Sequence, residues 1–262
     1  MKRYLKLIKL FSKYSLIHAT IYKVDFLIWS LVDVGWFALS IFFYQILFAN
    51  VNVVAGWTKA EILLLQGVFF IMTSILWGIF WNNFNQLPKK INDGTLDFDL
   101  IKPIDSQFMI SFQHLDLDNA NSFFLGLFTI LYAVNLGHMS IKLINIIQAA
   151  IFILLGAILF YSLYFITMSM AFWFDRIENL PWLFPSVRDF MKLPQSFYQG
   201  PLRLLFVYIF PIILVTSIPT QILLGIPSLN YIFVLVPAAF ISLAISRWFF
   251  HYAIKHYSSA SS

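Results

Sequence analysis

The longest polar interruption in this chain begins with the stretch Asn82-Asn-Phe-Asn-Gln-Leu-Pro-Lys-Lys-Ile-Asn-Asp-Gly-Thr-Leu-Asp-Phe-Asp-Leu-Ile-Lys-Pro103 and continues to Asp118. Residues 82–118 hold six of the twelve acidic residues, which are Asp93, Asp97, Asp99, Asp105, Asp116 and Asp118. The segments on either side are strongly apolar. This pattern predicts a connection outside a membrane, and its mixture of acidic and apolar residues favours a contact surface for a separate protein.

The composition indicates an integral membrane protein. Of 262 residues, 60% are hydrophobic, 19% aromatic and only 11% charged, whereas soluble domains carry about 25% charged residues. The net charge of +5 does not indicate nucleic-acid binding, because the basic residues lie between apolar segments and form no reading surface. The absence of cysteine excludes disulfides, thiolate metal sites and a cysteine nucleophile.

Six apolar segments have about the 20 residues that a helix needs to cross about 30 Å of hydrocarbon. They are residues 26–49, 61–81, 121–136, 144–173, 204–224 and 231–250. Pro211 and Pro219 in the fifth segment and Pro237 in the sixth indicate kinks. We therefore predict an all-α polytopic membrane protein with six transmembrane helices, in which residues 1–262 form a single transmembrane domain.

The N-terminal 24 residues have the pattern of an amphipathic helix. Lysines recur on one side at positions 2, 6, 9 and 13, and the other side carries Tyr4, Leu7, Phe11 and Tyr14. This arrangement predicts a helix over residues 1–24 that lies flat on an anionic membrane surface. The alternative is a plain basic tail that only sets the topology.

The distribution of Lys and Arg predicts the orientation, since cytoplasmic connections are enriched in both. With a cytoplasmic N-terminus, only Lys59 and Lys142 lie outside. The inside set is Lys2, Arg3, Lys6, Lys9, Lys13, Lys23, Lys89, Lys90, Lys102, Arg176, Arg188, Lys192, Arg203, Arg247 and Lys255. Both termini, residues 82–118 and the second polar region, 174–201, are then cytoplasmic, the latter as amphipathic surface segments. The external connections 50–60, 137–142 and 225–230 are short.

Candidate catalytic groups are few. Asp33 is the clearest acidic residue inside a span, and it is a candidate intramembrane polar site. The alternative is that Asp33 has no function of this kind, because it lies near the cytoplasmic end of its span and can contact water or a partner helix there. His114 and Asp118 resemble an acyltransferase His-to-Asp pair, but their spacing is one residue short, and loop polarity also explains them. No histidine pattern predicts a metal site. The alternative functions are an intramembrane lipid-modifying enzyme and an ion-coupled carrier.

Two features of the 82–118 region predict docking. Pro88 is expected to end the extension of the second helix, and residues 89–94 resemble a short helix closed by Asn-Asp-Gly. Residues 95–101 alternate apolar with acidic positions and are expected to expose Leu96, Phe98, Leu100 and Ile101. An ordinary solvated loop is the alternative.

The chain has no Gly-x-x-x-x-Gly-Lys-Ser/Thr loop to hold ATP phosphates, so an ATP-driven system would need another polypeptide as its ATPase.

Residues 91–103 resemble the "Gly-Thr-Leu-Asp … Leu … Lys-Pro" signature of bacterial ABC-2 type permeases, in the branch described as the permease component of an uncharacterised ABC transport system. Further matches follow the same order along the chain. They are Ala55-Gly56-Trp57, Ala171-Phe-Trp-Phe174 followed by Glu178-Asn179-Leu180, Pro211 with Ile218-Pro219, and Tyr257-Ser-Ser-Ala-Ser-Ser262. The resemblance therefore covers essentially the whole chain.

The resemblance implies six membrane helices per subunit, an N-terminal interfacial helix, and a coupling helix between the second and third spans that docks in a cleft of a nucleotide-binding subunit. The coupling element would lie within residues 87–101. The matching positions are Asp93, Gly94, Leu96 and Asp97, and the candidate residues for coupling to the ATPase are these four with Leu87, Lys90, Ile91 and Phe98. One departure is that the connection 225–230 is too short for the external re-entrant helices that many ABC-2 exporters place there.

The resemblance also implies the function and the partners. The chain is expected to be the transmembrane permease subunit of an ATP-driven exporter in the bacterial plasma (inner) membrane, and to form the translocation pathway. Its expected partners are ABC ATPase subunits, a second permease subunit that is related or identical, and membrane lipids. No cofactor is expected in this chain, because ATP and magnesium would bind to the ATPase.

Overall fold

The computed structural model describes residues 2–21, 23–174, 180–227 and 229–257. Within these residues the fold is almost entirely helical. The α-helices are α1 Lys2–Ile21, α2 Lys23–Asn50, α3 Lys59–Ile75, α4 Asn82–Asn92, α5 Asp97–Leu100, α6 Ser106–Phe112, α7 Ala120–Leu136, α8 Leu143–Ser169, α9 Leu183–Asp189, α10 Gly200–Arg203, α11 Leu214–Leu223 and α12 Leu229–Ile254. Two π-helical turns, Leu76–Trp81 and Leu204–Ile209, and several short 3₁₀ turns connect them.

Five helical segments are long and apolar enough to cross a membrane. They are Lys23–Asn50, Lys59–Asn92, Leu117–Leu136, Leu143–Phe172 and Leu229–Ile254. A bent pair, Gly200–Ile209 and Leu214–Leu223, would make six if it were one span. The prediction of an all-α polytopic membrane protein is confirmed.

A two-residue hairpin precedes α3. Strands β1 Val53–Val54 and β2 Trp57–Thr58 pair antiparallel, and the turn places both Ala55 and Gly56 at positive φ, 51° and 86°, as tight hairpin turns require. Thr58 then caps α3: its hydroxyl accepts from the Glu61 backbone N–H, while Glu61 accepts from the Thr58 backbone N–H at 2.7 Å. This reciprocal pair fixes where the helix starts.

Pro88 does not end the second helix, contrary to the prediction. The helix runs without a break from Lys59 to Asn92 through the π-helical turn, and Pro88 lies inside α4. An interior proline removes one hydrogen bond, but Leu87 and Ile91 on either side are buried in the core, and this packing holds the last turns helical. At 1.5 Å per residue the 34-residue helix is about 50 Å long, so α4 projects beyond about 30 Å of hydrocarbon.

The bundle is centred on α3, the most buried of the spans. Its closest neighbour is α7, which it meets at Gly67 and Gly126. A Cβ added to Gly126 would lie 2.8 Å from the Gly67 carbonyl oxygen, and one added to Gly67 would lie 2.9 Å from the Gly126 carbonyl oxygen. Two glycines at one crossing let the backbones touch, which is a common means of packing membrane helices.

The predicted fifth span, 204–224, is not one straight helix. Its two halves meet at 79°, and their flanking contacts lie at the same end of the bundle. Ser196 donates to the Ala55 carbonyl in the hairpin, and Arg203 donates to the Tyr231 hydroxyl near the start of α12. A Cβ added to Gly225 would lie 3.7 Å from the Asn145 side chain near the start of α8. We infer that the pair is a re-entrant loop that enters and leaves at this end.

Residues 180–199 run along the bundle from one end to the other. The Trp182 ring lies 6.3 Å from the Trp81 ring, at the end where α4 begins. Further along, Thr216 donates to the Met191 carbonyl at 2.7 Å, and Ser196 reaches the hairpin at the opposite end. Phe184, Met191 and Tyr198 are buried against the bundle, whereas Trp182, Leu183 and Phe197 are exposed.

This path corrects the prediction that residues 174–201 form a cytoplasmic loop, because residues 180–199 reach the opposite end of the bundle. It also removes Arg188, Lys192 and Arg203 from the group of basic residues at the 82–118 end. Arg188 and Lys192 lie against the α3 span, and Arg203 lies at the opposite end of the bundle. Residues 175–179, which include Arg176 and the Glu178-Asn179 match, and residues 258–262 of the C-terminal match lie outside the described part of the chain.

Helix α1 turns part of its predicted apolar side toward the protein. Phe11 is buried, and the Tyr4 ring packs edge-on against Phe108 at 4.7 Å. The Ser15 hydroxyl accepts from the Leu115 backbone N–H. Tyr14, predicted to share this side, is instead exposed. Thus α1 is fastened to the 82–118 region, and the membrane contact predicted for it stays a prediction.

Candidate coupling surface and intramembrane polar site

The 82–118 region changes direction sharply after α4. Asp93 caps the helix, and Gly94 follows at a φ of 71°, a left-handed conformation that glycine adopts without steric cost. The Leu96 N–H then bonds back to the Lys90 carbonyl at 3.0 Å. The predicted Asn-Asp-Gly closure is confirmed, and it directs α5 back across the end of α4.

The turn of helix at residues 96–101 has two different faces. Leu96 and Asp99 are buried, with 0% and 3% of their surfaces exposed, whereas Phe98 and Ile101 are 65% and 76% exposed. The prediction that Leu96 would be exposed is therefore wrong, and Leu100 is only half-buried. The cause is the helical geometry, because residues three apart share a face of a helix. Acidic and apolar residues that alternate in the sequence therefore do not alternate between the exposed and the buried face.

Asp99 holds the region together through a buried ion-pair network. Its two carboxylate oxygens contact Lys90 Nζ at 2.8 Å and Lys102 Nζ at 2.9 Å. Lys90 also donates to Gln113 Oε1 at 2.8 Å. Burial by itself would raise the pKa of Asp99, but the hydrogen bonds and charges of the two lysines outweigh it and hold the pKa below its usual range. Asp99 is therefore ionised at neutral pH.

Helix α6 anchors the region to two spans. The Gln107 side chain donates to Ser246 Oγ on α12 and to Tyr161 Oη on α8, both at 3.1 Å. Asp105 caps α6 and forms an ion pair with Arg247. Burial would raise the pKa of Asp105, but Arg247 and the Phe108 N–H lower it overall. The segment is thus fixed to two spans, α8 and α12, that are not the ones it connects.

The eight candidate coupling residues therefore differ in exposure. Asp93 and Phe98 are exposed, and Lys90 and Asp97 are half-buried. The other four, Leu87, Ile91, Gly94 and Leu96, are buried in the chain's own core. These four shape the segment instead of presenting side chains to a partner. The reasoning from sequence missed Asp99 and Gln107, although the position of Asp99 three residues after Leu96 was a usable signal.

His114 and Asp118 do not lie one helical turn apart. His114 is in a non-helical stretch, where its backbone N–H and carbonyl both bond to the Asn83 side chain, at 3.0 and 2.6 Å. Asp118 lies in the following 3₁₀ turn, Leu117–Asn119. Burial, with a smaller effect of Lys90, lowers the pKa of His114. This arrangement fastens the connection to α4 and does not align the two side chains as a catalytic pair.

Asp116 lies between His114 and Asp118 in the sequence, and its backbone and side chain form three hydrogen bonds. Its backbone N–H donates to the Gly78 carbonyl at 2.7 Å, and its carboxylate accepts from Asn82 and from the Asp118 N–H. Burial raises the pKa of Asp116 to about 6, and the charge of Asp118 adds to the effect. The ionised form is thus disfavoured in the folded protein. Its contribution to stability is complete below the ordinary pKa of 3.8 and is lost as the pH rises through about 6.

Replacing Asp116 by asparagine is therefore expected to stabilise the protein by an amount that grows as the pH rises from 3.8 to about 6 and is constant above that. Discounted for solvent screening, the shift corresponds to about 1–2 kcal/mol at pH 8, with no gain at pH 4. Thermal unfolding of the purified chain and the variant at pH 4, 6 and 8 measures this difference. A difference that stays constant over this range would contradict the assignment.

The second candidate, Asp33, lies on α2 and accepts from Ser122 Oγ on α7 at 3.3 Å. It also attracts Arg188 electrostatically, although no ion pair within 4 Å joins them among the described residues. The Arg188 guanidinium stacks 4.6 Å from the Trp77 ring and 5.7 Å from the Phe69 ring. The topology prediction places Arg188 in a cytoplasmic loop and does not foresee its interaction with Asp33.

The comparisons with known proteins agree with this architecture. No curated protein matches the chain significantly. A family model described as "ABC-2 family transporter protein" matches residues 34–261, which include all the spans except the beginning of the first. The chain therefore belongs to the ABC-2 family of transporter proteins and is the permease component of an ABC transporter.

Proposed function

We propose that this chain is the transmembrane subunit of an ATP-driven exporter, and that it couples to a separate ATPase through α5. The observation that supports the proposal is the exposed pair Phe98 and Ile101 on a segment that is otherwise locked to the bundle. Two large apolar side chains exposed beside acidic residues, outside the membrane, suit a groove in a partner protein. ATP and magnesium would bind to that partner.

The structure suggests how force would pass through this surface. The segment carrying α5 is joined to α4 by the Lys90–Asp99 ion pair, and α4 is continuous with α3 through the π-helical turn. Displacing α5 would therefore move a helix that reaches across the bundle. Closure of an ATPase dimer on ATP binding would tilt α3, and α6 would transmit the same displacement to α8 and α12.

The wider assembly is part of the same proposal. Helix α2 is apolar and exposed over most of its length, which suits a lipid-facing helix or the contact with a second permease subunit, identical or related. The remaining excess of Lys and Arg at the 82–118 end favours a cytoplasmic location for that end and for both termini. The membrane would be the bacterial plasma membrane.

The test is co-purification with ATPase subunits encoded beside this chain. Phe98→Asp with Ile101→Asp is expected to reduce ATPase recovery at least tenfold, because both side chains would lose their apolar contacts. The fold should survive, since neither residue contributes to the core. Val53→Asp, an exposed apolar residue in the hairpin at the other end, is the matched control and should retain the ATPase. Equal recovery with the double variant would refute coupling through α5.

A further inference from the structure

We propose that Arg188 and Lys192, with Phe69 and Trp77, form an intramembrane site for the anionic headgroup of an amphiphilic molecule. The ligand class is a phosphate or similar anion attached to an apolar chain. The role of this site in binding the exporter's cargo rests on the proposed function. Its ability to bind such a molecule rests on the geometry alone.

The first step of the inference is the position of the two cations. Phe69 and Trp77 belong to the span Lys59–Asn92 and lie about 15 and 27 Å along it from Lys59. The Arg188 guanidinium lies between their rings, and Lys192 Nζ lies 5.6 Å from the Phe69 ring. Two charged side chains at this depth are costly, and such residues usually mark a binding site or a pathway.

The second step is that the cations are only partly neutralised. One carboxylate, that of Asp189, contacts both, at 2.8 Å from Lys192 Nζ and 3.4 Å from Arg188. Asp33 attracts Arg188 without an ion pair within 4 Å among the described residues, so Asp189 is the one acid in direct contact with the two bases, and positive charge is in excess at the site itself. Within the described ranges no group accepts a hydrogen bond from Arg188 Nε, although this atom is buried. An unpaired guanidinium donor is suited to an oxyanion, which guanidinium groups bind with well-defined geometry.

The third step is access. The side chains of Arg188 and Lys192 keep 23% and 37% of their surfaces exposed, so the site is open on one side. Around it are the aromatic surfaces of Trp77 and Trp81, stacked 5.1 Å apart. Aromatic rings hold the guanidinium by cation–π contact while leaving its edge for a ligand. The surroundings therefore suit an apolar chain next to an anionic group.

The segment that carries both cations is held in place at two points. The Lys192 carbonyl accepts from the buried Tyr44 hydroxyl on α2 at 3.1 Å, and the Met191 carbonyl accepts from Thr216 on α11. Both contacts use backbone carbonyls, so neither of them occupies the charged side chains. The site lies where α2, α3 and the re-entrant loop meet, and movement of α3 would change its shape.

The experiment titrates the purified chain, in a neutral maltoside detergent, with dodecyl phosphate. Binding is followed by intrinsic tryptophan fluorescence and by the rise in unfolding temperature. Dodecylphosphocholine supplies the same chain with a zwitterionic headgroup, and inorganic phosphate supplies the anion without a chain. We expect dodecyl phosphate to bind at least tenfold more tightly than either. Comparable binding of all three would overturn the proposal.

Arg188→Gln and Lys192→Gln are each expected to weaken dodecyl phosphate binding at least tenfold. Lys142→Gln, which removes an exposed cation outside the site, is the matched control and should bind normally. If Arg188→Gln does not fold, Lys192→Gln decides, because that side chain is bonded only to the exposed Asp189 within the described residues. Unchanged affinity in a folded Lys192→Gln protein would refute the site. The assay needs no ATPase, so its failure is distinct from failure of the coupling proposal.

Discussion

Replacing Gly126 by valine is expected to abolish accumulation of correctly folded protein in the membrane. The first added carbon would lie 2.8 Å from the Gly67 carbonyl oxygen and 3.0 Å from the Ile71 backbone nitrogen. Both contacts are with helical backbone, which cannot move aside as a flexible side chain can. The α3–α7 crossing would have to separate, and because α3 is the centre of the bundle, the cost should be about 3 kcal/mol or more.

Gly35 provides the matched control for this change. It lies on a membrane helix of similar composition, but a Cβ at this position meets no atom within 4 Å. Gly35→Val should therefore accumulate and resist unfolding like the parent protein. Detergent extraction followed by size-exclusion chromatography and thermal unfolding measures both variants. If Gly126→Val elutes and unfolds like the parent, the close crossing does not exist.

The parts of the fold that were predictable depended on local pattern. Unbroken apolar segments of sufficient length identified the first four spans and the last, and the Asn92-Asp93-Gly94 sequence identified the end of α4. Pro88 was misinterpreted because a local rule, that proline ends a helix, was opposed by burial of its neighbours Leu87 and Ile91. Burial is a property of the whole fold, and the residues around Pro88 alone do not carry it.

The charged residues of the segment 174–201 led to the wrong prediction of a cytoplasmic loop. Charges among apolar residues usually indicate a surface, yet Arg188 is accommodated against α3 because aromatic rings and Asp189 offset part of its desolvation. Thr216 and Tyr44 likewise satisfy carbonyl groups of an irregular backbone. These partners are 25 and 148 residues away in sequence, so no local pattern could reveal them.

The burial of Asp99 likewise determines the effect of replacing it. Asp99→Asn would leave Lys90 and Lys102 facing each other without a carboxylate, and Lys90 is largely buried, with 19% of its side chain exposed. Removing one partner of a buried ion pair typically costs about 3–5 kcal/mol. Because Lys102 is partly exposed, the cost here should be toward the low end of that range.

The expected consequence is local release of α5, since α3, α7, α8 and α12 keep their own contacts. Asp99→Asn should therefore remain a folded membrane protein and yet expose the 93–104 segment to limited proteolysis, with reduced ATPase recovery. Asp93→Asn, an exposed acid in the same turn, is the control and should resist proteolysis. If Asp99→Asn resists proteolysis and also retains the ATPase, the buried network is not what makes the segment rigid. If α5 is released while ATPase binding persists, docking needs only Phe98 and Ile101, and the rigidity of the network serves transmission of force to α3.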